Sequence, residues 1–593
     1  MAKPLIRTEV IRRSHTIIRP FLRDAKTLDQ FYKEVVDQEL SPSQRAAIVE
    51  QAILLLEDFY VHLPLKCAMY AIDPLRRLRL LQQQLQQPRS LVVKSDQHFH
   101  RQMTQIFTSL CDQHTVYTLP TFYADRYAWL PFKVEACYVR RRRKYLVTRV
   151  LDGFRTGGLC EGVEVLSWNG IPIARAVELA EAQSGGGNPA ARHALALLNL
   201  TQRPLRCVPP PDEEWVAVGY RNQKGKTGLA WMQWVISRLP DRDDDALPQE
   251  LFIPARRIQQ IRKFLFAPDV IQRRRKLSAA SDPLSIVKEA ESIMPDVFRA
   301  ALVPEHPGIG YIRIFTFEVE NPDKFVAEFI RLIKRLPGAG LIIDVRDNSG
   351  GRTAAAERLL QLISPTQPIQ PQSLYFINTP LTLKLCKLNK SARTPGRSVR
   401  SLGPFGLKPW IDSIERAMET GATYSATHPI TDPKLCNNIG RQYHGPVVVV
   451  TDALSYSATE FFAAGFQDHG GTVLGIDQTT GGGGANVRSH AEMRRYFKKA
   501  ADSPFKRLAP GTDISIALRR SQRVGTESGS EIEDYGVTPD DVYRMTPKDI
   551  LGRNENLIEY AAKLLETNFA RLKRKSASNR RGRASENARG LSE

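Results

Sequence analysis

The sequence predicts an α/β protein with an N-terminal helical region, a β-rich inserted domain and a C-terminal core of alternating strands and helices. Three observations predict this. Apolar positions recur at three and four between residues 20 and 115. Short strand-like runs broken by glycine turns begin near 133, and strand-then-helix alternation begins near 305. Alternation of that kind implies a sheet covered by helices. A chain of 593 residues exceeds what one hydrophobic core serves, so two or three domains are expected.

The elements follow in order. FYKEVVDQEL, RAAIVEQAILLLEDFYVHLPL and DPLRRLRLLQQQLQ carry the helical period, and the SPSQ segment with Pro42 marks a helix start. KVEACYV, YLVTRVL and LCEGVEVLSWNGIPI read as strands, the last with a tight turn at Asn169-Gly170. ARAVELAEAQ and GNPAARHALALLNL read as helices. In the α/β part, GIGYIRIFTF, AGLIIDVRD, GPVVVVTD and GTVLGI are strands. DKFVAEFIRLIKRL, GRTAAAERLLQLI and SATEFFAAGFQDHG are helices. The Pro/Ser/Thr-rich stretch near 364–405 reads as a loop or insertion, and there are no internal repeats. The expected boundaries are 1–130 helical, 131–245 inserted domain, 246–304 connection, 305–566 core and 567–593 basic tail.

Composition narrows the function classes. Hydrophobic residues make up 42% and charged residues 25%, the values of a soluble globular chain. No run approaches eighteen apolar residues, so no membrane span is expected. The N-terminus lacks the apolar run of a secretory signal. Seven scattered cysteines without CxxC spacing indicate reduced thiols, and with them a cytoplasmic setting. Part of the net charge of +21 is local to VRRRRK (139–144), QRRRK (272–276) and ARLKRKSASNRRGRA (570–584). No nucleic-acid-binding motif accompanies these runs, so specific nucleic-acid binding is not expected. A third functional reading, polyanion binding through the tail, predicts affinity that falls steeply with salt.

Chemistry concentrates in two strand-to-helix junctions. In GPVVVVTDALSYSATEFFAAGFQDHG, Ser455 or Ser457 lies where a helix N-terminus would stabilise developing negative charge. The same serine could simply cap the helix. In GLIIDVRDNSGGRTAAAERLL, the Asn348–Gly351 turn lets backbone N–H groups face a ligand, as an oxyanion hole requires. Asp468 and His469 lie close to the serines in sequence. Twelve residues of helix rise by roughly 18 Å, however, which is outside the reach of a base. Both are expected as exposed helix-end residues.

GYIRIFTF, GLIIDVRDNSGG, VVVVTDALSYSATEFFAAGFQDHG and EIEDYGVTPDD occur in this order, and together they resemble the tail-specific (C-terminal processing) serine protease superfamily, which includes the tricorn core and the chlamydial protease-like activity factor. The resemblance spans roughly 105–545 and implies a spiral β/α core like those of crotonase and Clp protease, with a PDZ-like insertion. It places the nucleophile at Ser457 and the oxyanion donors at Ala458 and Gly350 or Gly351. The lysine of the bacterial Ser–Lys dyad would fall on Gly482, and no lysine occurs between Ser457 and Lys498. The His-using branch instead carries its base in an Asp-x-His-Thr segment, matched by Asp112-Gln113-His114-Thr115. A neutral imidazole is also the usual base for a serine hydroxyl. The branch glutamate maps to Glu533, and Gln113 stands where the tricorn core has a supporting serine.

The expected function is serine endopeptidase action on protein or peptide substrates through Ser457, His114 and Glu533, with no cofactor and no metal, and with homo-oligomers open. HFH at 98–100 is too weak to invoke a metal, and HExxH and P-loop patterns are absent. The PDZ-like segment would bind a substrate or partner terminus, or act as a scaffold or lid. The alternative is a catalytically inactive protein on the same fold that binds a peptide or hydrophobic ligand. The missing dyad lysine favours it, and the joint presence of Ser457, His114 and Glu533 disfavours it.

Overall fold

A computed structural model describes residues 8–35, 40–123, 126–238, 254–278, 291–390 and 406–567. The basic tail from 568 onward lies outside them.

The N-terminal helices form where the sequence places them. Ser41 accepts from the Gln44 N–H, the Gln44 side chain returns to the Ser41 N–H, and Pro42 opens the Pro42–Asp58 helix. Asp73 caps Pro74–Gln84 in the same manner. Between them, Leu63–Tyr70 begins after His62 and carries Lys66 fully buried on its inner side. The helical region ends in a strand, Val116–Thr118, which pairs antiparallel with Asp513–Gln522, so this region joins a sheet of the C-terminal part.

The inserted domain is a twisted antiparallel sheet. Its order is Phe132–Val139, Arg142–Val150, Glu164–Trp168, Trp215–Arg221 and Thr227–Gln233. Asn169 and Gly170 have φ of 49° and 83°, the two positive values a tight hairpin needs. The helix Pro189–Asn199 leaves this domain and docks on the C-terminal part, where the Asn188 amide donates to the Thr480 carbonyl at 2.7 Å.

The C-terminal core holds a six-stranded sheet. Its order is Phe298–Val303, His306–Ile314, Gly340–Asp344, Val447–Thr451, Thr472–Gly475 and Asp541–Val542. From His306–Ile314 onward every pairing is parallel. The two central strands are buried throughout, which is why they read as continuous apolar runs. Helices Pro322–Ile333, Thr353–Ile363 and Ala458–Asp468 cover one face. A second sheet gathers Val116–Thr118, Asp513–Gln522, Ser373–Tyr375, His428–Pro429 and Ala485–Ser489. The 364–405 stretch differs from its expected loop: a strand forms at Ser373–Tyr375 and a helix at Pro380–Leu388. Thr379 caps that helix, and Leu385 and Cys386 are buried in the core, so tertiary packing overrides the turn-like composition.

Candidate active site

The Val447–Thr451 strand ends at the middle of the sheet, and the chain turns into the Ala458–Asp468 helix. Ser457 heads this helix at φ 58° and ψ −124°. A side-chain-bearing residue rarely adopts such a backbone, at a cost of order 1–3 kcal/mol. An ordinary N-cap is extended instead, so capping does not explain the conformation. Glu460 holds it. One carboxylate oxygen accepts from the Ser457 N–H at 3.0 Å and the Gly483 N–H at 2.7 Å. The other accepts from the Thr480 hydroxyl at 2.6 Å and the Gly482 N–H at 2.7 Å. Burial pushes this carboxyl up to about 7, against the four donors that favour its charge. Ser455 is engaged elsewhere, donating to the Val345 carbonyl at 3.0 Å.

At Gly482, where a dyad lysine would lie, a Cβ would fall 2.9 Å from the Asn188 amide nitrogen. Gly482 has φ 75°, and a Cβ at Gly483 would fall 2.0 Å from the Tyr456 ring. Across the site, a Cβ at Gly350 would meet the Tyr456 carbonyl at 2.6 Å, Ser457 Cβ at 2.7 Å and the Ala458 nitrogen at 2.8 Å. The glycine turn therefore lies directly against the first N–H of the helix. The Tyr456 N–H donates to the Asn348 carbonyl at 3.0 Å, and the Gly350 N–H to Asn348 Oδ1 at 3.0 Å.

His114 is buried with its ring centroid 4.6 Å from that of Tyr456, the residue before Ser457. Its backbone N–H donates to Asp112 Oδ1 at 2.8 Å, and Asp112 also accepts from Thr115 at 2.7 Å, Tyr60 at 3.1 Å and, at 3.5 Å, the Tyr456 hydroxyl. Burial holds the His114 imidazole down, to about 4; Asp112 opposes this, and Lys66 and Arg256 add to it. Among the described residues neither ring nitrogen has a hydrogen-bond partner, and the Gln113 amide is likewise unpartnered.

Glu533 is also fully buried. Its Oε1 lies 2.9 Å from Lys66 Nζ, and its Oε2 lies 3.4 Å from His62 Nε2. Burial pushes its carboxyl well above the usual range; Lys66 opposes this, and Asp112 and Asp534 add to it. Lys66 also contacts Asp534 and donates to the Cys111 carbonyl at 3.1 Å. Burial disfavours its charge, but Glu533, Asp534 and Asp112 outweigh burial and raise its pKa.

The structure thus brings Ser457, Ala458 and Gly350 into contact and lays His114 against the preceding tyrosine. No hydrogen bond joins His114 to Ser457 or to Glu533. Asp468 and His469 sit at the far end of the helix, as its rise requires, but both are buried, contrary to the exposed ends expected. Asp468 pairs with Arg523 at 2.5 Å. His469 Nδ1 lies 2.7 Å from the Gly465 carbonyl, and its Nε2 accepts from the Gln370 N–H at 3.0 Å. His100 of the HFH segment lies 2.9 Å from the Tyr117 hydroxyl.

Sequence reasoning missed His62 and Lys66. The available signal was their spacing: two polar residues four apart in the otherwise apolar VHLPLK share one helical face. It also missed a cavity of about 400 Å³ between the inserted domain and the core, lined in part by His193, Arg262, Arg313, Arg346, Asp452 and Leu454. Ser457 and His114 are not among its lining residues.

Comparison with known proteins accords with this architecture. The family model for peptidase family S41 matches residues 308–543, and that for a PDZ domain matches 126–242. Mature CPAF is similar at 16% identity and a TM-score of 0.59, over 88% of this chain and 96% of that one. Mature CPAF complexed with lactacystin gives the same identity and TM-score, over 89% and 98%. Identity at that level shows a shared fold, and the family models supply the rest. The chain thus carries a peptidase family S41 domain following a PDZ domain, on a fold it shares with mature CPAF.

Proposed function

We propose that this protein is a serine endopeptidase in which Ser457 attacks the scissile carbonyl of a protein or peptide substrate. The observation that carries this reading is the strained backbone of Ser457, clasped by Glu460 and pressed against the Gly350 turn. Strain retained at a strand-to-helix turn presents a hydroxyl in the way a nucleophile elbow does.

In this mechanism His114 accepts the serine proton as a neutral imidazole and returns it to the leaving amine. Glu533 orients the imidazole and stabilises its charged form. Catalytic hydrogen bonds often tighten only once substrate is bound, so the unpartnered ring of His114 is compatible with this role. The Ala458 N–H and the glycine turn at Gly350 and Gly351 would receive the oxyanion. The Gly350 N–H must then leave Asn348 Oδ1 or share it. The unpartnered Gln113 amide is available to support the carboxylate. The PDZ domain would deliver an extended substrate segment by adding it to a sheet edge.

A fluorophosphonate probe tests the assignment. It should label the wild-type chain and fail to label Ser457→Ala, and lactacystin should compete, as its complex with the similar CPAF suggests. A folded wild-type protein that takes no label and cleaves no peptide library would overturn this reading. It would favour a non-catalytic binding protein instead.

A further inference from the structure

We propose that His62, Asp112 and Glu533 form a binding site for a divalent transition-metal ion of the Zn²⁺ type. One potential ligand atom from each residue lies within 4.8 Å of the other two, and all three side chains are buried. They come from distant stretches: the N-terminal helical region, the segment before His114 and the segment after the Asp513–Gln522 strand.

Three observations converge on an ion. The first is His62 itself, which is 0% exposed with neither ring nitrogen hydrogen-bonded among the described residues. Buried polar groups without partners are uncommon and costly, and a bound ion is one of the few explanations for them. The second is spacing. His62 Nε2 and Glu533 Oε2 stand 3.4 Å apart. That is longer than a good hydrogen bond, but it is the edge of a tetrahedron built on metal bonds of about 2.0–2.1 Å. The third is charge. Three carboxylates, Asp112, Glu533 and Asp534, surround the Lys66 ammonium in a buried region, and Arg520, whose charge also acts on His62 and Glu533, is itself paired with Glu531 at 2.6 Å. A doubly charged cation would balance them.

Lys66 does not compete for the position. It contacts Glu533 through Oε1, whereas His62 faces Oε2. Asp112 Oδ1 accepts from the His114 backbone N–H at 2.8 Å and only at 3.5 Å from the Tyr456 hydroxyl, so an ion would take the place of that long contact. One imidazole and two carboxylates, with a fourth position for water, suit Zn²⁺ or Co²⁺ better than Mg²⁺ or Ca²⁺, which prefer six or more oxygens.

The consequence rests on the proposed mechanism. A metal at this position takes the Glu533 carboxylate and the Asp112 anchor of the His114 segment, so it would reversibly inhibit hydrolysis.

Equilibrium dialysis of the chelator-treated full-length chain against Zn²⁺, read by elemental analysis, tests binding without reference to activity. One ion per chain is expected in the wild type and in Ser457→Ala, with affinity at least about 10-fold weaker in His62→Ala. Co²⁺ loaded into the wild type should show the intense visible bands of a four-coordinate site, a readout that needs no variant to fold. Peptide hydrolysis should fall on Zn²⁺ addition and recover with chelator, and His62→Ala should lose this sensitivity. Failure of the wild type to bind an ion would overturn the site, as would equal affinity in a folded His62→Ala. Binding without effect on hydrolysis would overturn only the inhibitory role, and a wild type without hydrolysis would fail the peptidase reading alone.

Discussion

The two ends of the Ala458–Asp468 helix each bury a histidine, and the two are treated in opposite ways. At the C-terminal end, His469 has both ring nitrogens engaged, and neighbouring Asp468 has Arg523. At the N-terminal end, His114 lies tilted against Tyr456 with both nitrogens unpartnered among the described residues, and His62, Gln113 and Glu533 also hold open hydrogen-bonding positions there. Burial of a polar group without a partner costs about 1–3 kcal/mol. Within the described residues one end of the helix is therefore satisfied internally, and the other carries the hydrogen-bonding positions that the proposed mechanism would use. Satisfaction, rather than burial or proximity in sequence, separates the structural histidine from the candidate base.

The sharpest way to break this contrast is to remove each histidine. His114→Ala should lower kcat/KM for peptide hydrolysis by about 1000-fold or more. His469→Ala should leave kcat of the folded enzyme unchanged and cost about 1–2 kcal/mol in urea unfolding, because it loses two hydrogen bonds. If the two effects came out reversed, the assignment of the ends would be wrong.

Next in size is Arg523→Ala, which strands Asp468 in a buried position. It should destabilise the protein by about 3–5 kcal/mol, read as a fall in Tm, with active-site labelling of the remaining folded protein unaltered. Gly350→Ala should behave differently. Its Cβ would press on Ser457 Cβ and the Ala458 nitrogen from a backbone at φ 92°. A loss of about 2–4 kcal/mol should come with a fall in kcat even below the melting transition.

The smallest effect concerns His490, an intermediate case with one good partner, Gln51 Oε1 at 2.8 Å. Burial lowers its pKa to about 4, with Arg494 adding to the effect. The unfolded chain, with a histidine pKa near 6.5, therefore binds more protons between those values. Stability from this residue is complete above about pH 6.5 and is lost as pH falls toward 4, at about 1.4 kcal/mol per unit. His490→Gln should flatten that slope by one such increment in unfolding experiments between pH 7 and 5. An unchanged slope would show that burial leaves this histidine free to charge.

Much of this was legible in the residues. The apolar runs at 340–344 and 447–451, the three- and four-residue period of 322–333, and the Ser41-Pro42 cap are local patterns, and local patterns fix local structure. Ser457 and the 350–351 turn were legible because a strand, a glycine turn and a helix follow one another within a few residues. The 380–388 helix was not legible, because its formation depends on a core contributed by distant segments.

The sequence by itself determined the fold class, the nucleophile candidate and the lack of a lysine at the dyad position, each of which is written in contiguous residues. It also excluded Asp468 and His469 as partners of Ser457, since helix rise is a property of the helix alone. Only the tertiary structure decided which buried groups are satisfied. That structure brings His62 and Lys66 to Glu533 from more than 460 positions away, and it places Asp112 beside them. No local pattern encodes such a meeting, because the free energy that drives it comes from packing the whole core, whereas the residues that meet are too few and too dispersed to leave a period.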